Sequence, residues 1–548
     1  MNKNVQSSNG KKVGFVDGFE NISTRSVFLY FLIIGIAGLI IRFVYFPYDL
    51  PIVADGQSYF WYALDMSILD KFPENHIIVN NGWPSFLSLF FNFFNNENFL
   101  VYHNLQRFIG TVISLVTFIP IYFLVKKFVE QKYAIISCSL FIFEPKLILN
   151  SFLGTPEALY IFLISLMLCT FFSKKQYNIY ISFFIIGIIS LIRYEGVLLV
   201  IPISIVYFIR FRKEKKKYIK YLICFSIFLL AVLPMSEIRN DTIGNDGLIS
   251  HVSAGPAYVQ KSVDNNQINF NEFIFEGVKN SIILLGWTQI PFLIIFVPLG
   301  IFLIVKKIDF KILTLILTTV TILIPAFYAY AREFEEIKYL LPLYSIFFIL
   351  VGLSLRKIYE NIGKEKIVTL FILGIVITSS IAYVDWKSID YEHEIDAFQI
   401  MMDVSKFDMK INVDMGKNGK ELGYIHWSKI YENSDFPNVK NHFVFPNEIS
   451  FLKDNTYMNE LENDVDEKEF FTQYFLMNKK NGLTHILIDE YNDKNNCNQI
   501  CFNEKFNYVF LNEDEFPYLE KIYDSKEKGY GYHVKLFKIN YKEFENEI

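Results

Sequence analysis

The sequence predicts a multi-pass α-helical membrane protein of about 11 spans followed by a C-terminal soluble α/β domain. Composition, apolar run lengths and the division of charge predict it. The 548 residues are 52% hydrophobic and 18% aromatic but only 20% charged, with a mean hydropathy of +0.28, too apolar for an ordinary soluble enzyme. Apolar runs of spanning length recur from residue 26 to residue 384. Residues 385–548 hold 19 Lys, no Arg and 32 Asp plus Glu, so the net charge of -5 conceals a basic, apolar N-terminal part and an acidic C-terminal one. A disordered chain is excluded by the apolar content, a disulfide scaffold by the 5 cysteines. Nucleic-acid binding is disfavoured, since the soluble part lacks a basic face.

In chain order, residues 1–25 are polar and read as a cytoplasmic tail. The first apolar run, Ser26–Phe46, has spanning length and lacks the small-residue cleavage site of a signal peptide. Further spans are expected at Leu105–Val125, Tyr133–Leu149, Pro156–Phe172, Tyr177–Ile192, Gly196–Ile209, Tyr218–Met235, Ser281–Val305, Ile312–Tyr330, Tyr339–Leu355 and Ile367–Val384. Every second connection is basic: Lys126/Lys127, Lys174/Lys175, the run Arg210–Lys217, Lys306/Lys307 and Arg356/Lys357. Lys and Arg are retained on the cytoplasmic side. With about 23 basic residues there and about 8 opposite, the N-terminus is expected inside and the C-terminal domain outside the cell membrane. Residues 26–384 are thus the expected transmembrane domain.

Two outside loops, 47–104 and 237–280, are longer than helix connections need. The first contains two amphipathic stretches, Gln57–Leu69 and Trp83–Phe94, which suit either the membrane interface or packing on the bundle. Residues 385–548 read as one extracytoplasmic α/β domain with a helix at Tyr391–Phe407, strand-like Lys410–Val413 and His442–Phe445, a buried strand Thr484–Ile488 and an alternating strand His533–Ile539. Its role is acceptor positioning or that of a stabilising cap. Cys138, Cys169 and Cys224 fall in spans as small apolar residues, whereas Cys497 and Cys501 share a loop compatible with a local disulfide. His76, His103 and His251 are scattered without metal-ligand spacing, so no metal is named, though a divalent ion is compatible with the acids below.

The strongest local signal is Ala54-Asp55-Gly-Gln-Ser-Tyr59-Phe-Trp-Tyr-Ala63, directly after the first span, with Asp55, Tyr59 and Ala63 on one helical face. This first-loop acid and its spacing resemble membrane glycosyltransferases of the GT-C superfamily, such as protein O-mannosyltransferases and the lipid A aminoarabinose transferase. The resemblance implies transfer of a sugar from a polyprenyl-phosphate carrier to a lipid or protein acceptor, with Asp55 deprotonating the acceptor hydroxyl. The chemistry agrees, because a hydroxyl is a poor nucleophile until a positioned carboxylate takes its proton. A helix-capping Asp is the alternative reading. Many of these enzymes carry Asp-Glu where this chain has Asp55-Gly56, so a second carboxylate must come from elsewhere. Glu144 and Glu157, at the outer ends of the third and fourth spans, are candidates to bind acceptor or metal; a cap explains Glu157 equally well.

Arg193-Tyr194-Glu195 resembles a recurring Arg-Tyr-Glu element of the superfamily. It makes Arg193 a candidate phosphate ligand supported by Tyr194 and Glu195, against a local ion pair closing a turn. Arg42 is a weaker second cation. Before the tenth span, where the family often has Arg-Tyr-hydrophobic-hydrophobic-Pro, the chain has Lys338-Tyr339-Leu-Leu-Pro342, with Arg332 nearby. Lys338 and Arg332 are the remaining phosphate candidates, or else snorkelling anchors. No Walker-type phosphate loop and no Trp-Trp-Asp-Tyr-Gly element occur, which disfavours ATP-driven transport and en bloc oligosaccharide transfer. The rival is a secondary transporter or flippase of a lipid-linked saccharide, which predicts charges within spans and broken helices.

The topology has a direct check. In intact cells Lys215→Cys is expected to be shielded from an impermeant thiol reagent and Asn265→Cys and Asn481→Cys to react; the opposite pattern inverts the assignment.

Overall fold

The computed structural model describes residues 24–52, 55–70, 72, 80–94, 99–265, 269–305, 308–363, 365–388, 391–404, 407, 411–412, 443–444, 467–479, 482–490 and 508–547. The readings for residues 1–23, His76, Lys306, Lys307, His442, Cys497 and Cys501 lie outside them. The chain divides into two compact units, one of residues 1–47, 55–94 and 104–388, the other of residues 48–54, 95–103 and 389–548. Two pieces of the first loop, residues 48–54 and 95–103, thus belong to the second unit.

The larger unit is helical. Its helices are α1 (Thr24–Val44), α2 (Asp55–Leu69), α3 (Gly82–Phe91), α4 (Phe99–Val116), α5 (Phe118–Val125), α6 (Gln131–Ile142), α7 (Pro145–Ser151), α8 (Glu157–Phe171), α9 (Asn178–Ile192), α10 (Val200–Arg210), α11 (Lys217–Ile243), α12 (Ile249–Asp264), α13 (Phe270–Gln289), α14 (Leu293–Ile304), α15 (Phe310–Tyr330), α16 (Tyr344–Ile362) and α17 (Glu365–Trp386). Local chemistry sets several ends. Asp309 accepts from the Lys311 and Ile312 amides at the start of α15, and Gly363, in the left-handed region at φ 67°, ends α16. Helix α9 packs between α8 and α11 and α14 against α16. A Cβ at Gly300 would lie 2.5 Å from the Leu350 carbonyl oxygen, so only glycine allows the α14–α16 approach.

Six described helical segments are long and apolar enough to cross a membrane, or eight if each bent pair counts as one span. The architecture is multi-pass, but with fewer uninterrupted spans than the apolar runs suggested. The third run is bent by 50° between α6 and α7, and the eighth by 111° between α13 and α14. Pro145 and Pro291 stand at these breaks, where a proline removes a backbone donor and clashes with the preceding turn. The sixth run is a 3₁₀ turn, Tyr194–Leu199, leading into an α10 of only 11 residues. The second long loop is largely helix, because α11 continues to Ile243 and α12 follows. Both amphipathic stretches of the first loop are helices, α2 and α3.

The smaller unit contains α18 (Glu392–Val404), α19 (Glu467–Lys479), α20 (Tyr541–Glu547) and strands β1 (Ile411–Asn412), β2 (Phe443–Val444), β3 (His485–Asp489), β4 (Leu519–Asp524) and β5 (Val534–Ile539). The sheet runs β2-β1-β3-β5-β4, parallel in β2-β1-β3 and antiparallel in β3-β5-β4. Phe471, Phe475, Ile486, Phe537 and Phe544 are fully buried in its core. Strand β4 escaped the sequence reading because an irregularity between Lys521 and Tyr523 interrupts its alternation.

Candidate active site

Asp55 is the first residue of α2, where the amide ends of the helix favour a carboxylate, and its side chain is 61% exposed. Lys338, in the 3₁₀ turn Ile337–Leu343 between α15 and α16, donates to Asp55 Oδ2 at 2.6 Å and lies 2.6 Å from Glu336 Oε2. Gln106, fully buried in α4, donates to the carbonyls of Gly56 and Gly154 at 3.0 and 2.6 Å and so fixes the start of α2.

Arg193 ends α9 with extended backbone, φ -142° and ψ 124°, and aims its side chain at two carboxylates. Its Nη2 and Nε donate to the two oxygens of Glu195 at 3.0 and 3.4 Å, and Nη1 donates to Glu157 Oε1 at 2.5 Å. The guanidinium carbon lies 6.0 Å from the centre of the Tyr160 ring and 5.6 Å from that of Tyr339, and Lys338 Nζ is also 5.6 Å from the Tyr339 ring centre. Arg193, Glu195 and Lys338 therefore share one open cleft, otherwise walled by Tyr160, Tyr339, Leu199, Thr321, Ile322, Pro325 and Pro342. Tyr59, one turn after Asp55, is close enough to Arg193, Glu157 and Asp55 to feel all three charges, and burial pushes its phenol up to about 12.

Of the residues expected at the site, Asp55, Tyr59, Glu157, Arg193, Glu195 and Lys338 come together. Tyr194 is adjacent, its N–H donating to Asn80 Oδ1 at 3.0 Å and its ring centre 4.9 Å from that of His251. Three others take up positions apart from the cleft. Arg332 is exposed, donating to the Tyr328 hydroxyl at 3.1 Å and lying over the rings of Tyr258, Tyr328 and Phe334. Arg42 is buried with Gly38, Ile142 and Ser114 as its acceptors. Glu144 is fully buried at the α6–α7 bend, 4.0 Å from Lys146 and accepting from the Tyr344 hydroxyl at 3.4 Å. An acid closed off with its own lysine is poorly placed to reach an acceptor from solvent. Among the described residues, no group of three or more His, Cys, Asp or Glu is arranged to hold a metal ion.

The sequence reading missed Asn80, Tyr160 and Tyr339 as site neighbours, although Tyr339 directly follows Lys338 in the element before the tenth span. It also missed Asp65, ten positions after Asp55 in α2. Burial raises the Asp65 carboxyl from 3.8 to about 8, and its Oδ1 has no hydrogen-bond partner.

Two outcomes follow. Arg193→Met strands two nearly buried carboxylates and is expected to cost about 3–5 kcal/mol, read as a lower melting temperature in detergent. Adding Glu157→Gln and Glu195→Gln is expected to recover part of it; an unchanged melting temperature for Arg193→Met contradicts the pairing. The folded state binds a proton at Asp65 that the unfolded chain releases, so this stability is full at low pH and lost as pH rises through about 8. Between about pH 5 and about pH 9, Asp65→Asn is expected to lose less melting temperature than the parent protein; an equal loss contradicts the burial.

Residues 83–236 match the family described as dolichyl-phosphate-mannose-protein mannosyltransferase. The chain is similar in structure to the oligosaccharyltransferase of Archaeoglobus fulgidus in its apo form, with a TM-score of 0.52 at 10% identity over 85% of this chain and 70% of that one. It is similar to ArnT from Cupriavidus metallidurans, solved bound to undecaprenyl phosphate, with a TM-score of 0.51 at 12% identity over 94% of this chain and 98% of the other. No curated protein sequence matches it. At these identities the likeness shows the fold alone: the chain shares the multi-helix membrane fold of these two structures.

Proposed function

We propose that the chain is an inverting transferase that moves one sugar from a polyprenyl-phosphate carrier to a lipid or protein acceptor on the extracytoplasmic side. The observation that carries this reading is the position of Lys338: one ammonium holds Asp55 and also lines the cleft that contains Arg193. Asp55 takes the proton of the acceptor hydroxyl. The freed oxygen bonds to the anomeric carbon on the face opposite the phosphate, and the sugar–phosphate bond breaks with its electron pair kept by the phosphate oxygen. Attack from the opposite face inverts the anomeric centre.

Charge constrains how the donor enters. Asp55, Glu336, Glu157 and Glu195 outnumber Lys338 and Arg193, and Arg193 already uses three of the five N–H groups of a guanidinium. A phosphate is therefore accepted by exchange: Lys338 leaves Asp55 for the phosphate, which neutralises the leaving group and frees the base in one movement. The aromatic and aliphatic walls suit the first prenyl units.

A second reading, a flippase or secondary transporter of the lipid-linked sugar, draws on the bent pairs α6–α7 and α13–α14 and on Glu144 and Lys146 buried at the first bend. Membranes supplied with radiolabelled polyprenyl-phosphate sugars separate the two. Label is expected to reach an acceptor covalently, and Asp55→Asn is expected to reduce transfer by about 10²–10⁴-fold with insertion intact. Undiminished transfer refutes Asp55 as base, and label that crosses the membrane still joined to its carrier favours transport.

A further inference from the structure

We propose that Arg239, near the C-terminal end of α11, is the positioning residue that holds Arg193 turned into the cleft. Arg193 reaches Glu157 and Glu195 because α9 stops one residue before it. A helix that stops leaves its last carbonyls without amide partners. The Leu191 carbonyl, two residues before Arg193, is in that last turn, and Arg239 Nη2 donates to it at 3.1 Å from a different helix. The same guanidinium donates through Nε to Asn81 Oδ1 at 2.9 Å and through Nη1 to the Gly247 carbonyl at 3.3 Å. One side chain thus joins the end of α9 to the segment before α3 and the turn before α12.

Arg239 is fully buried, and none of its three acceptors is a carboxylate. A guanidinium is expensive in such a place unless something replaces its hydration. The end of α9 does so, because the carbonyls of a last turn carry the negative end of the helix dipole. Two other buried arginines follow the same rule. Arg42 donates to the Ile142 carbonyl at the end of α6 at 3.1 Å, and Arg107 to the Phe152 carbonyl just past α7 at 2.9 Å. Of these three helices, α9 is the one that leads into a cation of the cleft.

Residues 80–82 close the other side. A Cβ at Gly82 would lie 2.6 and 2.7 Å from the carbon and oxygen of the same Leu191 carbonyl, and Asn80 Oδ1 accepts the Tyr194 N–H at 3.0 Å. The backbone is therefore held both before and after Arg193, and Asn81 links that clamp to Arg239. Without Arg239 the Leu191 carbonyl regains a partner if the helix winds on and the amide of residue 195 reaches back to it. Such winding would carry the Arg193 side chain along the helix wall, away from Glu157 and Glu195. Arg239 thus keeps the guanidinium of Arg193 aimed without touching what it binds.

The tie can be tested without activity, and its part in donor binding rests on the function proposed above. Hydrogen exchange is measured on the full chain in detergent for the parent, Arg239→Gln and Arg239→Lys. The amides of residues 193–196 are expected to exchange about 10-fold faster in Arg239→Gln, with α17 unchanged. In Arg239→Lys, which keeps the charge and loses the fork, about 3-fold is expected. Unchanged exchange at residues 193–196, or equal acceleration in α17, overturns the proposal. Where Arg239→Gln fails to insert, Arg239→Lys decides by the same criterion.

Affinity for undecaprenyl phosphate, measured on the same proteins, separates aiming from general loosening. Arg239→Gln is expected to weaken binding about 10-fold, and Arg239→Lys to recover most of that loss. Adding Arg239→Gln to Arg193→Met is expected to cost no further affinity, since both act through one guanidinium. Losses that add, or an affinity that Arg239→Gln leaves unaltered, overturn the proposal and leave the transferase reading in place. A parent protein that neither binds undecaprenyl phosphate nor transfers sugar, but whose residues 193–196 are freed by Arg239→Gln, refutes the transferase reading and leaves the tie standing.

Discussion

A cation at the end of an apolar helix is tolerated only when nearby groups replace the water it has lost. In this chain Arg193 is bracketed by Glu157 and Glu195, and Lys338 by Asp55 and Glu336. Four carboxylates from separate parts of the sequence are thereby drawn to two cations, and the Tyr339 ring lies beside both. The cleft depends on this arrangement. Removing either cation would leave carboxylates facing one another across a partly dry space.

The helix breaks serve the same end. Arg193 can turn toward Glu157 because α9 stops in extended backbone and resumes as a 3₁₀ turn, and Lys338 occupies a second 3₁₀ turn containing Pro342. Continuous helices through residues 178–210 and 310–362 would send these side chains along the helix walls and not across the cleft. The fold thus gives up regular backbone where the two cations converge, as is tolerated in a membrane when the loosened backbone is enclosed by protein.

Much of the candidate site's geometry was legible because its residues are expensive where they stand. Asp55, Arg193 and Lys338 are charges at the ends of apolar runs, and that incongruity marks them without a structure. The same logic does not reveal the surroundings of Arg332 and Glu144. Arg332 satisfies itself among aromatic rings, and Glu144 is closed off by Lys146 and Tyr344, partners supplied by distant segments that local sequence does not reveal. Asn80 gave no signal, since an asparagine before an amphipathic stretch reads as a turn residue. The bends were not legible for a related reason: hydropathy measures how apolar a run is, and Pro145 and Pro291 bend their runs without making them less apolar.

The proposed chemistry makes Lys338 and Arg193 one phosphate site from which Asp55 is released. An experimental density map of the protein with undecaprenyl phosphate tests it most directly. The phosphate oxygens are expected within hydrogen-bond reach of Lys338 Nζ and the Arg193 guanidinium, with the Lys338–Asp55 contact of 2.6 Å broken. A phosphate seated beside Arg332 or Lys146, or one in the cleft with Lys338 still bound to Asp55, would contradict it.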